Sequence, residues 1–277
     1  MRRSHFAVLV APVVALAAFV GHATFASSAA AAHVAPLDTS ETRDGAPRAA
    51  IIAPSPTSEA IAAPARTGED VERLATSGTA QGPRALDPAD AWARLATNAS
   101  GTYITDILRE RRDAVARWGD RRAEPIRLWI ADGSHLEGWQ PTDAELVRDA
   151  FDEWSATGIP LRFVLVRDSA SANVRVTWTD RFAEPINGRT VWTRDPQYWI
   201  HGAEVVLALR HANGARLDGM QLRAIALHEA GHVLGLDHAS QPEHIMAAQV
   251  RARALTDEDR ATIRLLYSIP AGPVAAR

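Results

Sequence analysis

The stretch His228-Glu229-Ala230-Gly231-His232-Val233-Leu234-Gly235-Leu236-Asp237-His238 decides how this chain is read. It has the form HExxHxxGxxH. His228 and His232 stand four apart, so on a helix they share a face, with about 5–6 Å between their β-carbons. Their imidazoles can then converge on one ion at roughly 2.0–2.1 Å from each nitrogen. Leu227 and Val233 fall toward the core. Gly235 comes where the helix has to stop. Glycine enters a left-handed conformation without steric cost, so the chain can reverse there and bring His238 round as a third ligand. Three neutral imidazoles leave a zinc ion its full charge and one open position for water. Glu229 faces the ion obliquely and is not a ligand. It is placed to take a proton from that water and pass it on. An HExxH alone arises by chance. The helical context, with Gly235 and His238 at their offsets, makes this pattern specific. Met246 follows the third histidine by eight residues, where a turn can place its sulfur beneath the site as packing and not as a ligand.

Working outward, Asp218 is positioned to cap the helix that carries the motif, whose buried side includes Leu222, Ile225 and Ala226. Upstream, Ile126–Ile130 alternates as a strand does. Thr142-Asp143-Ala144-Glu145 reads as a capping box, and the helix behind it presents Leu146, Ala150, Phe151 and Trp154 until Gly158 and Pro160 end it. Strands are predicted over 161–166, 172–179 and 189–193, with a mostly apolar, central one over 203–209. The order is strand, helix, three or four strands, helix, loop, helix. It predicts an α+β fold: a twisted mixed sheet with helices packed against it. Ahead of this domain, Asp87-Pro88 looks like a helix start. A second helical stretch runs from Thr102 to Trp118, with Ile104, Ile107, Leu108 and Val115 as its apolar members. Together, 87–123 form a helical preface with no evident task. Asn98-Ala99-Ser100 fits a glycosylation acceptor, a three-residue pattern common by chance.

The 277 residues carry a net charge of −3 and no cysteine. Near-neutrality gives no electrostatic case for nucleic acid. The absence of cysteine excludes disulfides, thiolate catalysis, cysteine-ligated zinc, a bacterial lipoprotein anchor and any latency device built on a thiol. Arg2 and Arg3, the apolar run Phe6–Val20 and the small residues after it have the layout of a signal peptide over 1–30. The run is short for a membrane span. Residues 31–86, rich in Ala, Pro, Ser, Thr and Gly, read as a low-complexity linker or propeptide. The expectation is a secreted, periplasmic or extracellular protein, monomeric, without stable membrane insertion once the signal is removed.

The segment Ala226–Met246 resembles the active-site helix and Met-turn of the metzincins, and among them the matrixins. Asp237, Ser240, Pro242 and Glu243 stand where many matrixins have the same residues. Leu255-Thr256-Asp257-Glu258-Asp259, with Ile263, Leu266 and Tyr267, is similar to their closing helix, and independently reads as a capping box ahead of an apolar stripe. The resemblance covers about 124–270, leaving 271–277 as a tail. It implies a zincin-like catalytic domain: a zinc metalloendopeptidase with one catalytic zinc on His228, His232 and His238, Glu229 as catalytic base, and an extended peptide or protein as substrate. It further implies that substrate lies antiparallel to an edge strand, for which Gly188–Arg194 is the candidate. The segment Ala247–Arg253 is the candidate wall of the pocket beyond the cut, with Arg251 or Arg253 either entering it or facing water.

The sequence also departs from the family. Ala247-Ala248 stand where matrixins usually have a proline. His201 and His211 do not reproduce the spacing of a second, structural zinc site. His135 and His244 read as surface or loop residues. Structural calcium is left open, with no recognisable loop to hold it. A compact, bacterial-type secreted matrixin is the nearest pattern. Two other functions remain open at this point: a catalytically silent binding protein on the same fold, and a zinc hydrolase acting on a non-peptide amide bond.

Overall fold

The computed structural model describes residues 65–66, 71–74 and 87–274. The expected signal peptide lies outside them, as does the linker or propeptide apart from two short strands, β1 (Ala65–Arg66) and β2 (Val71–Leu74). Helices α1 (Pro88–Asn98) and α2 (Ile104–Glu110) follow. Next come β3 (Ala114–Val115), β4 (Arg121–Ile130) and α3 (Pro141–Ser155). Four more strands are β5 (Leu161–Leu165), β6 (Val174–Thr179), β7 (Gly188–Arg194) and β8 (Ile200–Ala208). The chain closes with α4 (Gly219–Val233), β9 (Gln249–Val250), α5 (Asp257–Ser268) and β10 (Gly272–Pro273).

The main sheet has the order β2-β7-β8-β6-β4-β5. Strand β4 runs parallel to β5 and β6, and β6 parallel to β8, while β7 is antiparallel to β8. The sheet is therefore mixed and the fold α+β, as the element order predicted. Alternation builds it. In β6, Val174, Val176 and Trp178 are buried while the alternate residues Arg175, Thr177 and Thr179 are partly exposed. Helices α3 and α4 pack on each other, and α4 on β7 and β8. From Gln221 to Val233 every residue of α4 except Arg223 is buried. A helix enclosed on all sides shows no one-sided apolar stripe. The small residues Ala224, Ala226, Ala230 and Gly231 let its neighbours close in around it. No helix among the described residues is long and apolar enough to cross a membrane.

Several local expectations need correction. The helix predicted over 102–118 stops at Glu110. Arg112 and Asp113 take φ of 53° and 60°, a left-handed conformation that cannot continue a helix. The chain turns, and Val115 is buried in a strand paired with β10. Helix α3 starts before Thr142. Pro141 in its first turn disfavours helical backbone at Gln140, which is extended and donates its N–H to Asp143 Oδ2 at 2.9 Å. The buried face of α3 is Val147, Ala150, Phe151 and Trp154, with Val147 in the place assigned to Leu146. Strand β7 is not the last strand of the sheet. Its outer side is paired, in parallel, with β2, from Val71 opposite Val191 to Leu74 opposite Arg194. A strand ending a sheet offers unpaired N–H and C=O groups, and β2 takes them here. Strand β1 pairs antiparallel with β9.

Candidate metal centre

Helix α4 is fixed at both ends by its own sequence. At its start, Asp218 Oδ1 accepts the Gln221 N–H at 2.7 Å, and Gln221 Oε1 accepts the Asp218 N–H at 2.9 Å. At its end, Gly235 adopts φ of +96°. The Gly235 N–H donates to His232 O at 2.9 Å and the Leu236 N–H to Gly231 O at 3.1 Å. Those two bonds make a Schellman turn. A Cβ at 235 would also collide with the Ala116 carbonyl. Only glycine meets both demands. Three aromatic side chains donate to carbonyls of α4 and its C-terminal cap: Trp154 Nε1 to Leu227 O at 2.8 Å, Trp118 Nε1 to Val233 O at 2.8 Å, and Tyr267 OH to Leu234 O at 3.0 Å.

The turn orients the ligands as well as ending the helix. His232 Nδ1 lies 3.0 Å from Leu236 O, and His228 Nδ1 lies 2.8 Å from Ile245 O. A carbonyl oxygen only accepts, so both Nδ1 atoms carry the proton. Each neutral ring is thereby left with its Nε2 lone pair. Those two Nε2 atoms are 2.9 Å apart. Facing lone pairs repel unless a cation lies between them. Burial, then the neighbouring His232 and His238, hold the His228 imidazole well below its usual value. His238 completes the set. The three rings offer ligand atoms all within 4.8 Å of one another, the one such group of three among the described residues. Arms of 2.0–2.1 Å at tetrahedral angles put ligand nitrogens roughly 3.4 Å apart. The donor set suits zinc: three neutral imidazoles, with both helix-borne rings locked in the tautomer that metal binding needs.

Glu229 is buried, at 1% exposure. Its Oε2 accepts the Thr190 hydroxyl at 2.6 Å, and Thr190, on β7, is itself fully buried. Gly188, on the same strand, leaves the space that the carboxylate fills. A Cβ there would stand 2.7 Å from both Cγ and Cδ of Glu229. Met246 is fully buried, and a Cβ at Gly231 would overlap its sulfur and approach its Cε at 3.1 Å. The methionine thus packs directly beneath the ligand helix, where the sequence predicted it.

The other candidates are distributed differently. His201 Nε2 lies 3.2 Å from Asp195 Oδ2, and His135 is exposed. His244 is in a loop but buried, 5.0 Å from the Tyr103 ring and with Nδ1 3.2 Å from Thr256 Oγ1. In the segment after the Met-turn, Ala247 and Val250 are buried while Arg251 and Arg253 are exposed. Sequence reasoning missed Gly188 and Thr190. Both meet Glu229 only through the fold, and neither residue type signals such a contact.

Three converging imidazoles, a buried glutamate beside them and a methionine turn beneath, set against a mixed sheet, are arranged as in the metzincin fold. Residues 134–268 match the sequence model of the family described as Matrixin. The chain carries a matrixin-like metzincin domain. It is 30% identical over 142 residues to metalloendoproteinase 1-MMP of Arabidopsis thaliana, an alignment covering 43% of this chain and 36% of that relative. The chain thus spans little more than a third of the relative's length. That relative is a plant protein, so nothing in the comparison supports the expected bacterial type.

Proposed function

We propose that this domain is a zinc-dependent endopeptidase. The observation that carries the reading is the pair of Nε2 atoms on His228 and His232, 2.9 Å apart, each aimed inward by a carbonyl behind its ring. With His238 they would hold zinc, which supplies a Lewis acid that acidifies water and polarises a carbonyl. The remaining work falls to the chain. Glu229 accepts the proton of the attacking water and delivers it to the departing amine. Thr190, by its hydrogen bond to Oε2, and Gly188, by its missing side chain, fix where that carboxylate stands. Burial of the site keeps bulk water from competing for these hydrogen bonds.

Substrate adds as an extended strand along the outer side of β7, main chain to main chain. Strand β2 lies there in the structure, so cleavage of a long peptide requires β2 to leave. This supports reading the region before Asp87 as a propeptide and not a bare linker. The test is digestion of a random peptide library by purified protein, with and without a chelator, alongside Glu229→Gln. Chelator-sensitive internal cleavage by the wild type is expected. The variant is expected to keep its zinc and lose cleavage. A Glu229→Gln protein that cleaves at the wild-type rate refutes the assigned base. A zinc-loaded wild type that cleaves no peptide even after removal of residues 1–86 refutes the activity.

A further inference from the structure

The helical preface lies ahead of residues 134–268, which match the matrixin family. The structure ties it to the metal centre. His238 is the one ligand that no helix carries; it sits in the loop between α4 and β9. Helix α2 holds that loop on both sides of His238. Before it, Asp237 Oδ1 accepts the His238 N–H at 2.8 Å, and Asp237 Oδ2 lies 3.3 Å from Arg111 Nη2, at the end of α2. Both side chains of this ion pair are largely buried. The Arg111 guanidinium is held in turn 4.5 Å over the ring of Trp192 on β7. After it, Asp106 Oδ2 accepts both the backbone N–H of Ser240 at 3.0 Å and its hydroxyl at 2.7 Å.

A second connection leaves the start of α2. The Tyr103 hydroxyl donates to Asp259 Oδ1 at 2.8 Å, and Asp259 Oδ2 accepts the Ile245 N–H at 3.2 Å. Ile245 O is the acceptor behind His228. The same short helix thus touches the loop of one ligand and the backing of another.

We propose that α2 is part of the metal-site scaffold, and that Asp106 and Arg111 are positioning residues which hold the His238 loop ready for zinc. A loop that must be ordered as the metal arrives loses affinity by the cost of ordering it. One pinned beforehand does not, and partners behind metal ligands typically account for about 10- to 100-fold in affinity. The inference rests on reading the three histidines as zinc ligands. Its test reads zinc binding directly, so the two can fail separately.

The experiment titrates zinc against a chromophoric chelator in the full-length protein and in Asp106→Ala, Arg111→Gln, Arg111→Lys and Ile107→Val. Ile107 is a buried α2 residue with no part in these contacts, and its variant controls for loosened packing. Asp106→Ala and Arg111→Gln are expected to weaken zinc binding by about 10- to 100-fold. Arg111→Lys should recover part of the loss. Ile107→Val should lower the melting temperature with zinc affinity kept. The proposal is overturned if both loop-contact variants, folded by circular dichroism, bind zinc within about twofold of wild type, or if Ile107→Val weakens binding as much as they do. Should Arg111→Gln not fold, Asp106→Ala decides alone. A wild type that takes up no zinc refutes the ligand assignment itself.

Discussion

Replacing Gly188 by alanine separates the placement of the base from the rest of the centre. The added methyl stands 2.7 Å from both Cγ and Cδ of Glu229, and closer to Oε1. Carbon contacts relax at about 3.5–4.0 Å, so the carboxylate must retreat by roughly 1 Å. Moving its tip alone does not help, because Cγ is crowded too. Glu229 has little room, being 1% exposed and tied to Thr190. A displacement of about 1 Å at a reacting group costs on the order of 100-fold in rate, or about 2.7 kcal/mol in the barrier. No histidine atom is among those nearest the new methyl, so zinc content should not change. The assay is kcat and KM on a quenched fluorescent peptide, with zinc measured on the same sample. The expected result is full zinc occupancy with kcat down about 100-fold. Activity within about threefold of wild type would refute the steric argument. Loss of zinc together with activity would refute it differently, by showing that the methyl displaces α4 and not the base.

Three further outcomes are expected. Thr190→Val removes a hydroxyl donor from a buried carboxylate, an interaction of about 1.5–3 kcal/mol; kcat should fall at least about tenfold with KM nearly unchanged, and Thr190→Ser should restore most of it. Deleting residues 1–86 frees the outer side of β7. With a few backbone hydrogen bonds at about 1 kcal/mol each no longer competing, KM for long peptides should drop by roughly 10- to 100-fold, and an unchanged KM would show that β2 does not compete with substrate. The metal-free protein should lose stability in acid. Burial and the neighbouring histidines keep the folded His228 neutral, whereas the unfolded imidazole takes its proton near pH 6.5. Stability from this group is therefore complete above about pH 6.5 and declines as pH falls toward the depressed folded value, by at most about 1.4 kcal/mol per pH unit. The difference in melting temperature between apo wild type and apo His228→Asn should be constant from about pH 7 to 8 and change only toward about pH 5, where the wild type loses stability.

What could be read from the sequence was local. His228 and His232 fall on one face by helical geometry alone, and Gly235 announces its turn because few other residues adopt that conformation. Asp218 and Thr256 declare their helices through side chains that meet backbone three residues on. The alternation across 174–178 fixes which face of β6 is buried. What could not be read depended on distant partners or on residue types that carry no signal. Gln140 is an unusual cap, placed by the proline after it. The reversal at Arg112 and Asp113 uses left-handed backbone without glycine, so the expected helix ran on too far. Val71–Leu74 is too short for a periodic pattern, and its pairing with Val191–Arg194 spans 120 residues of chain. Thr190, Gly188 and Arg111 acquire meaning only when the fold brings them to Glu229 or Asp237.

The indoles bonded to α4 have a practical consequence. Trp118 and Trp154 are both fully buried, and each donates its one N–H to a carbonyl of the helix that bears His228 and His232. Any event that loosens this helix must break those bonds and wet the rings, moving their emission to longer wavelength. The protein thus carries two native optical reporters on its histidine-bearing helix, and loosening of that helix can be followed by ultraviolet excitation without label or substrate.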